Sequence, residues 1–152
     1  MKAIAIIVML GIFQIGCATT YRSQEPGRVS FVLDGPGVSL YKNGERYSAM
    51  GLSSAPIRAV EGNQLAEDHA RIFVTRSRIA WILYGIGLAA LGTAIGLNPN
   101  GHAQGGQRTA SVILGISGVT TVLAGGTVFM TAPSHLYDAV NIYNDVQTRL
   151  PR

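Results

Sequence analysis

The sequence predicts a mainly α-helical membrane protein. We expect a transmembrane helical hairpin extended by amphipathic flanking helices, with a small N-terminal β-meander. Only 13% of the 152 residues are charged, about half the share usual in soluble domains. Two long segments contain no charged residue, and a polar turn joins them. Three short β-prone runs separated by turn signals precede the helical part.

The first twenty residues have the layout of an export signal. Lys2 is followed by an apolar run over residues 3–13, and small residues surround Cys17, the only cysteine of the chain. This layout predicts a signal peptide over 1–16 and a polar tether over 17–28. Gly16-Cys17 resembles the cleavage and lipidation site of bacterial lipoproteins, although Gln14 stands where such signals usually have leucine.

Two other fates of this segment stay open. The small residues at 16–18 also suit ordinary signal peptidase cleavage. An uncleaved N-terminal helix is the third possibility, but its apolar run is short of the roughly 20 residues that span a membrane.

Residues 29–50 predict the β-meander. Asn43-Gly44 is a strong signal for a two-residue hairpin turn. Apolar and polar residues alternate between Val38 and Lys42, so one face of the sheet can be covered. A sheet of this size must lie on another element to be stable. Residues 51–56 are expected to form a linker.

From residue 61 the apolar pattern takes a helical period. A helix over 61–97, capped by Asn63, is expected to run into a first transmembrane segment that begins at Ile79. At ~1.5 Å per residue this segment is about 28 Å long, close to the hydrocarbon thickness of a bilayer. A turn over 98–109 leads to the second transmembrane segment over 110–132, which Pro133 is expected to end. An amphipathic helix over 134–150, capped by Ser134, completes the prediction.

The alternative is a pair of helices buried in the core of a soluble domain. A chain of this length has too few other residues to cover two such apolar helices.

Small residues recur at a spacing of four on both apolar segments. In lipid this spacing lets two helix backbones approach closely. We expect one face of small residues to pack the two helices of the hairpin together and another to contact a second copy of the chain. This predicts a homo-oligomer. The expected packing residues are Gly85, Ala89, Gly92, Gly96, Ser111, Gly115, Gly118, Thr121 and Gly125.

The signal, the tether and the glycine-rich hairpin together resemble the glycine-zipper lipoproteins of Gram-negative envelopes. The resemblance covers residues 1–17 and roughly 79–132. It implies a non-enzymatic, structural or stabilising role, a lipid anchor on Cys17 at the periplasmic side, and an outer-membrane location. Ala18 after Cys17 also resembles lipoproteins that are exported onward to the outer membrane.

Charge placement independently favours the outer over the inner membrane. With the signal cleaved, Arg71, Arg76 and Arg78 would lie on the periplasmic side of an inner-membrane hairpin, against the tendency of basic residues to stay inside. The alternative function is an accessory subunit of a larger envelope transport or secretion complex. Residues 29–50 would then dock an envelope protein partner.

No catalytic centre is predicted. His69, His102 and His135 have no partner at the sequence spacing of metal ligands, and no nucleophile lies near His135 and Asp138 in the sequence. The net charge of +4 comes from scattered arginines, without the basic clusters of nucleic-acid-binding proteins. We therefore expect no enzyme, no cofactor, no metal site and no nucleic-acid partner, with membrane lipid as the main surroundings.

Overall fold

The structure, a computed structural model, describes residues 26–34, 37–50 and 52–149. The chain forms strands β1 (Val29–Asp34), β2 (Gly37–Lys42) and β3 (Glu45–Ser48), then helices α1 (Ala55–Ala59), α2 (Gln64–Leu97) and α3 (Gly105–Arg149). A mainly helical fold with two long apolar helices and a small three-stranded sheet is therefore confirmed. The predicted signal peptide, Cys17 and most of the tether lie outside the described residues.

The sheet is an antiparallel meander in the order β1-β2-β3. Lys42 pairs with Glu45, which leaves Asn43 and Gly44 as the two residues of the turn. Both have positive φ, 52° for Asn43 and 84° for Gly44. Two positive values are what a type I′ hairpin turn requires, and asparagine and glycine tolerate them best. The turn predicted from Asn43-Gly44 is confirmed.

One face of the sheet lies on the open end of the helical hairpin. Phe31 stacks on Tyr137 with ring centroids 4.5 Å apart, and the Lys42 ammonium lies 4.5 Å from the ring centre of Tyr143. We call the described residues up to 78, together with residues 132–149 of α3, the head. Its buried core comprises Val29, Leu40, Ala49, Ala59, Val60, Ala66, Ala70, Phe73, Val74, Ala132, Leu136, Ala139, Val140 and Tyr143.

Asn144 attaches the first strand to α3. Its Oδ1 accepts a hydrogen bond from the Val29 N–H, and its Nδ2 donates a hydrogen bond to the Val29 carbonyl oxygen, each with a length of 2.9 Å. Val29 is only 2% exposed, so neither backbone group has water as a ready substitute partner. The amide side chain therefore acts as the neighbouring strand that β1 lacks at this point.

Replacing Asn144 by alanine is expected to destabilise the head by about 1–3 kcal/mol, because two buried backbone groups lose their partners. Asn141→Ala is the matched control, since Asn141 is exposed on the same helix. Thermal unfolding of the detergent-solubilised protein measures the loss, and hydrogen exchange at the Val29 amide localises it. Equal melting temperatures for the two variants would contradict the assigned role of Asn144.

The beginning of α2 follows the sequence prediction. Asn63 Oδ1 accepts from the Ala66 N–H at 3.1 Å, which confirms Asn63 as the cap, although the helix begins at Gln64 rather than at residue 61. Glu67 accepts from the Gly62 N–H at 3.0 Å, so a second backbone donor at this end is also paired. The short helix α1 occupies part of the segment that was expected to be a linker.

The prediction that Pro133 ends the second apolar helix is wrong. Helix α3 begins at Gly105, five residues earlier than expected, and continues through Pro133 to Arg149. Proline within a helix costs about 3 kcal/mol, but the buried residues Leu136, Ala139 and Tyr143 beyond it pack in the head core. Ser134 is therefore not a helix cap. Its hydroxyl donates to the Thr131 carbonyl at 3.0 Å.

Candidate functional site

Between the head and the turn at 98–104, both helices expose large apolar side chains. No Asp, Glu, Lys or Arg occurs in residues 79–97 or 110–132. The exposed fraction ranges from 42% for Phe129 to 80% for Met130. We call this region the apolar belt; its large exposed residues are Ile79, Trp81, Ile82, Ile86, Leu88, Ile95, Val112, Ile113, Ile116, Val119, Leu123, Phe129 and Met130.

By length and composition, both α2 and α3 could cross a membrane. Within their most apolar windows, only 17% and 11% of the residues are buried inside the chain. A core helix of a soluble protein would be covered on most sides, whereas an exposed apolar surface of this extent is unfavourable in water. Both helices are therefore candidate membrane spans by their length, composition and exposure.

The two helices meet along a line of small residues spaced by seven, which we call the seam. Ser111 Oγ donates to the Ala94 carbonyl at 2.8 Å. A Cβ built on Gly118 would lie 2.9 Å from the Gly87 carbonyl oxygen, and one built on Gly125 would lie 3.2 Å from that of Ala80. The seam thus consists of Ala80, Gly87 and Ala94 on α2 and Ser111, Gly118 and Gly125 on α3.

This register has a direct physical consequence for Gly87 and Gly118. A Cβ on Gly87 would lie 2.9 Å from the Gly118 carbonyl oxygen, and one on Gly118 would lie 3.0 Å from the Leu91 nitrogen. Real Cβ atoms do not approach backbone this closely, so only glycine fits at this crossing. A repeat of seven residues is the period at which two helices keep the same faces together over several turns. Small residues at that period allow the backbones to stay close.

Four of the predicted packing residues lie on the opposite side of α2 from the seam. We call Gly85, Ala89, Gly92 and Gly96 the outer stripe. Gly96 follows Gly87 by about two and a half helical turns, which places it half a turn away from the seam. A Cβ added to Gly85, Gly92 or Gly96 would meet no other atom within 4 Å, and Ala89 is exposed. Nothing in the described chain covers this stripe.

The other predicted packing residues divide between the seam and its edge. Ser111, Gly118 and Gly125 belong to the seam, and a Cβ on Gly115 would reach Ala94 Cβ at 3.9 Å. Thr121 is half-buried, and its hydroxyl donates within α3 to the Ser117 carbonyl at 2.8 Å.

The sequence pattern of small residues at a spacing of four does not include Gly87, because the residues four positions away, Leu83 and Leu91, are large. The signal that identifies Gly87 is its position seven residues from both Ala80 and Ala94.

An apolar cavity of about 90 Å³ lies where the head meets the belt. Phe31 and Val38 line it from the sheet, and Trp81 and Phe129 line it from the two helices. Trp81 also contacts Tyr84 edge to face, with ring centroids 6.3 Å apart. Tryptophan and tyrosine are the residues most enriched at the boundary between lipid and water. Both residues lie at the end of the belt nearest the head.

The fold brings together two of the three histidines. His69 on α2 and His135 on α3 have Nδ1 atoms 3.5 Å apart, and Asp138 Oδ2 lies 3.7 Å from His69 Nδ1. Sequence spacing could not reveal this cluster, because His69 and His135 are 66 residues apart. His102 lies at the other end of the hairpin, in the turn after α2.

Comparison with protein-family models, curated proteins and solved structures finds no match to this chain. The described residues define a long helical hairpin with an exposed apolar belt, closed by a glycine-containing seam and carrying a small mixed α/β head at its open end.

Proposed function

We propose that this chain is a non-enzymatic lipoprotein of the bacterial cell envelope that spans a membrane and self-associates in a structural or stabilising role. The observation that carries the proposal is the outer stripe. The hairpin already uses one small-residue face, the seam, to hold its own helices together. Gly85, Ala89, Gly92 and Gly96 form a second such face, which points out of the exposed apolar belt.

The lengths of the helices support a spanning hairpin with an external head. Helix α2 has 34 residues, or about 51 Å, whereas the hydrocarbon core of a bilayer is about 30 Å thick. The charge-free part of α2 accounts for about 28 Å of that length. The remainder carries Glu67, Arg71 and Arg76 and belongs to the head. Lipid thus covers the belt, and the head stands in water beside it.

The direction of the chain supports a head on the side of the lipid anchor. The proposed tether from Cys17 leads directly into β1 of the head, so both lie on the same side of the membrane. With a lipoprotein-type signal this is the periplasmic side. We favour insertion into the outer membrane, because Arg71, Arg76 and Arg78 then do not oppose the positive-inside tendency.

Self-association is tested by enlarging the outer stripe. Gly92→Ile and Gly96→Ile each add a branched side chain where a second backbone would approach. We expect each substitution to cost about 1 kcal/mol per chain. When both chains of a pair carry it, the association constant should fall roughly thirtyfold. Insertion and hairpin closure should remain, since a Cβ added at either position meets nothing from the facing helix within 4 Å. Chemical crosslinking in membranes, followed by gel electrophoresis, measures the change.

Leu88→Ile provides the matched control. Leu88 is 60% exposed in the belt but is not part of the outer stripe, so its replacement should leave the oligomer unchanged. If Gly92→Ile and Gly96→Ile crosslink like the wild type, the stripe does not mediate self-association. The accessory-subunit alternative would then be favoured, with the strands of the head as the docking part.

A further inference from the structure

We propose that His69, His135 and Asp138 form a binding site for Zn²⁺ that joins α2 to α3 in the head. The three side chains come from both arms of the hairpin, and their ligand atoms all lie within 4.8 Å of one another. This site is independent of the proposed role in self-association. Its position is also distinct, since His69 precedes the belt by ten residues, or about 15 Å of helix.

The distances are close to those of a zinc centre. Bonds of roughly 2.0–2.2 Å from zinc to imidazole nitrogen and carboxylate oxygen place tetrahedral ligands about 3.3–3.6 Å from each other. The His69 and His135 Nδ1 atoms are 3.5 Å apart, and His69 Nδ1 is 3.7 Å from Asp138 Oδ2. The ligand atoms of the remaining pair, His135 and Asp138, lie within 4.8 Å of each other, and the exposed Asp138 side chain can turn to shorten that distance.

The donor set selects the kind of metal. Two imidazoles and one carboxylate suit zinc and other late first-row divalent ions, whereas Ca²⁺ and Mg²⁺ prefer sites made of oxygen alone. Three protein ligands with an open fourth position, filled by water, are a common zinc arrangement. The side chains of His69 and Asp138 are 27% and 53% exposed, so water can reach that position.

Neighbouring charges leave the cluster able to accept a cation. Arg71, two residues after His69 on α2, has its guanidinium 3.8 Å from the Glu67 carboxylate. Asp138 contributes a negative charge directly at the cluster, and Asp68 adjoins His69 in the sequence. A zinc ion held here would bridge residues 66 positions apart and would hold α2 and α3 together within the head.

The experiment uses the full chain, purified in detergent without a histidine tag and freed of metal by a chelator. Zinc is titrated in competition with a chromophoric chelator, and the melting temperature is measured with and without zinc. We expect one Zn²⁺ per chain, unaffected by a large excess of Mg²⁺, and a higher melting temperature in its presence. His69→Ala and Asp138→Asn should each weaken zinc binding by more than about tenfold. Removing a residue that only hydrogen-bonds to a metal ligand already costs about that much, and a lost ligand should cost more.

His102→Ala is the matched control, because it removes a histidine at the far end of the hairpin and should bind zinc like the wild type. Asp138→Asn keeps the shape of the side chain, so it tests the ligand set even if His69→Ala disturbs the head. A wild-type chain that binds no zinc overturns the proposal. Wild-type affinity in either His69→Ala or Asp138→Asn also overturns it, because the metal would then lie elsewhere.

Discussion

Replacing Gly118 by leucine is expected to force the two long helices apart. Even the first atom of the new side chain would lie 2.9 Å from the Gly87 carbonyl oxygen and 3.0 Å from the Leu91 nitrogen. These are backbone atoms of the facing helix, which cannot move aside as a side chain can. Inserting carbon atoms into a packed contact usually costs about 1–3 kcal/mol, and we expect a value at the upper end here.

Gly92→Leu is the control for this experiment. It introduces the same side chain on the same hairpin, at a position where an added Cβ meets nothing within 4 Å. With the chain dilute enough in mixed detergent to stay monomeric, the free energy of unfolding should fall for Gly118→Leu and remain near the wild-type value for Gly92→Leu. Similar losses for both would show that the seam is no tighter than the outer stripe.

The largest qualitative effect is expected from labelling the two ends of the hairpin. Gln104 lies in the turn and Ser134 lies at the head side of the belt, and both are exposed. Along α3 these positions are separated by about 45 Å, more than the thickness of the hydrocarbon core. If the hairpin inserts into the outer membrane from the periplasmic side, an impermeant thiol reagent should label Gln104→Cys in intact cells. It should reach Ser134→Cys only after the outer membrane is opened.

The parent chain is the control, because its single thiol, at Cys17, would be blocked by the proposed lipid and should stay unlabelled. An inner-membrane hairpin gives a different result: Ser134→Cys reacts once the outer membrane is opened, and Gln104→Cys reacts only after lysis. Identical labelling of the two variants under every condition would contradict a spanning hairpin.

Local patterns in the sequence predicted the elements well where each element depends on its own residues. Asn43-Gly44 predicted a two-residue turn, and both residues adopt the positive φ that such a turn needs. Asn63 predicted a helix cap and accepts the expected backbone hydrogen bond. The charge-free segments predicted two long apolar helices because composition and period act within a single helix. These features need no knowledge of distant parts of the chain.

The failure at Pro133 shows the limit of such local reasoning. Proline lacks an N–H and normally ends a helix or kinks it. Here the helix continues because the residues beyond Pro133 pack against α2 and the sheet, with Leu136 only 1% exposed. Burial of this kind comes from elements far away in the sequence. The free energy gained by this burial outweighs the cost of proline inside a helix, which is about 3 kcal/mol.

The sequence by itself determined the apolar belt, the turn, the three strands and the presence of two sets of small residues. Only the tertiary structure decided which set closes the hairpin. It uses Gly87, Gly118 and Gly125, and it leaves Gly92 and Gly96 outside. The same register places His69 beside His135 and Asp138. The reason is physical. Helix α2 carries small residues on two of its faces, and the sequence of α2 alone does not show which face packs against α3. The contact forms where the small residues of both helices allow the closest approach of the two backbones.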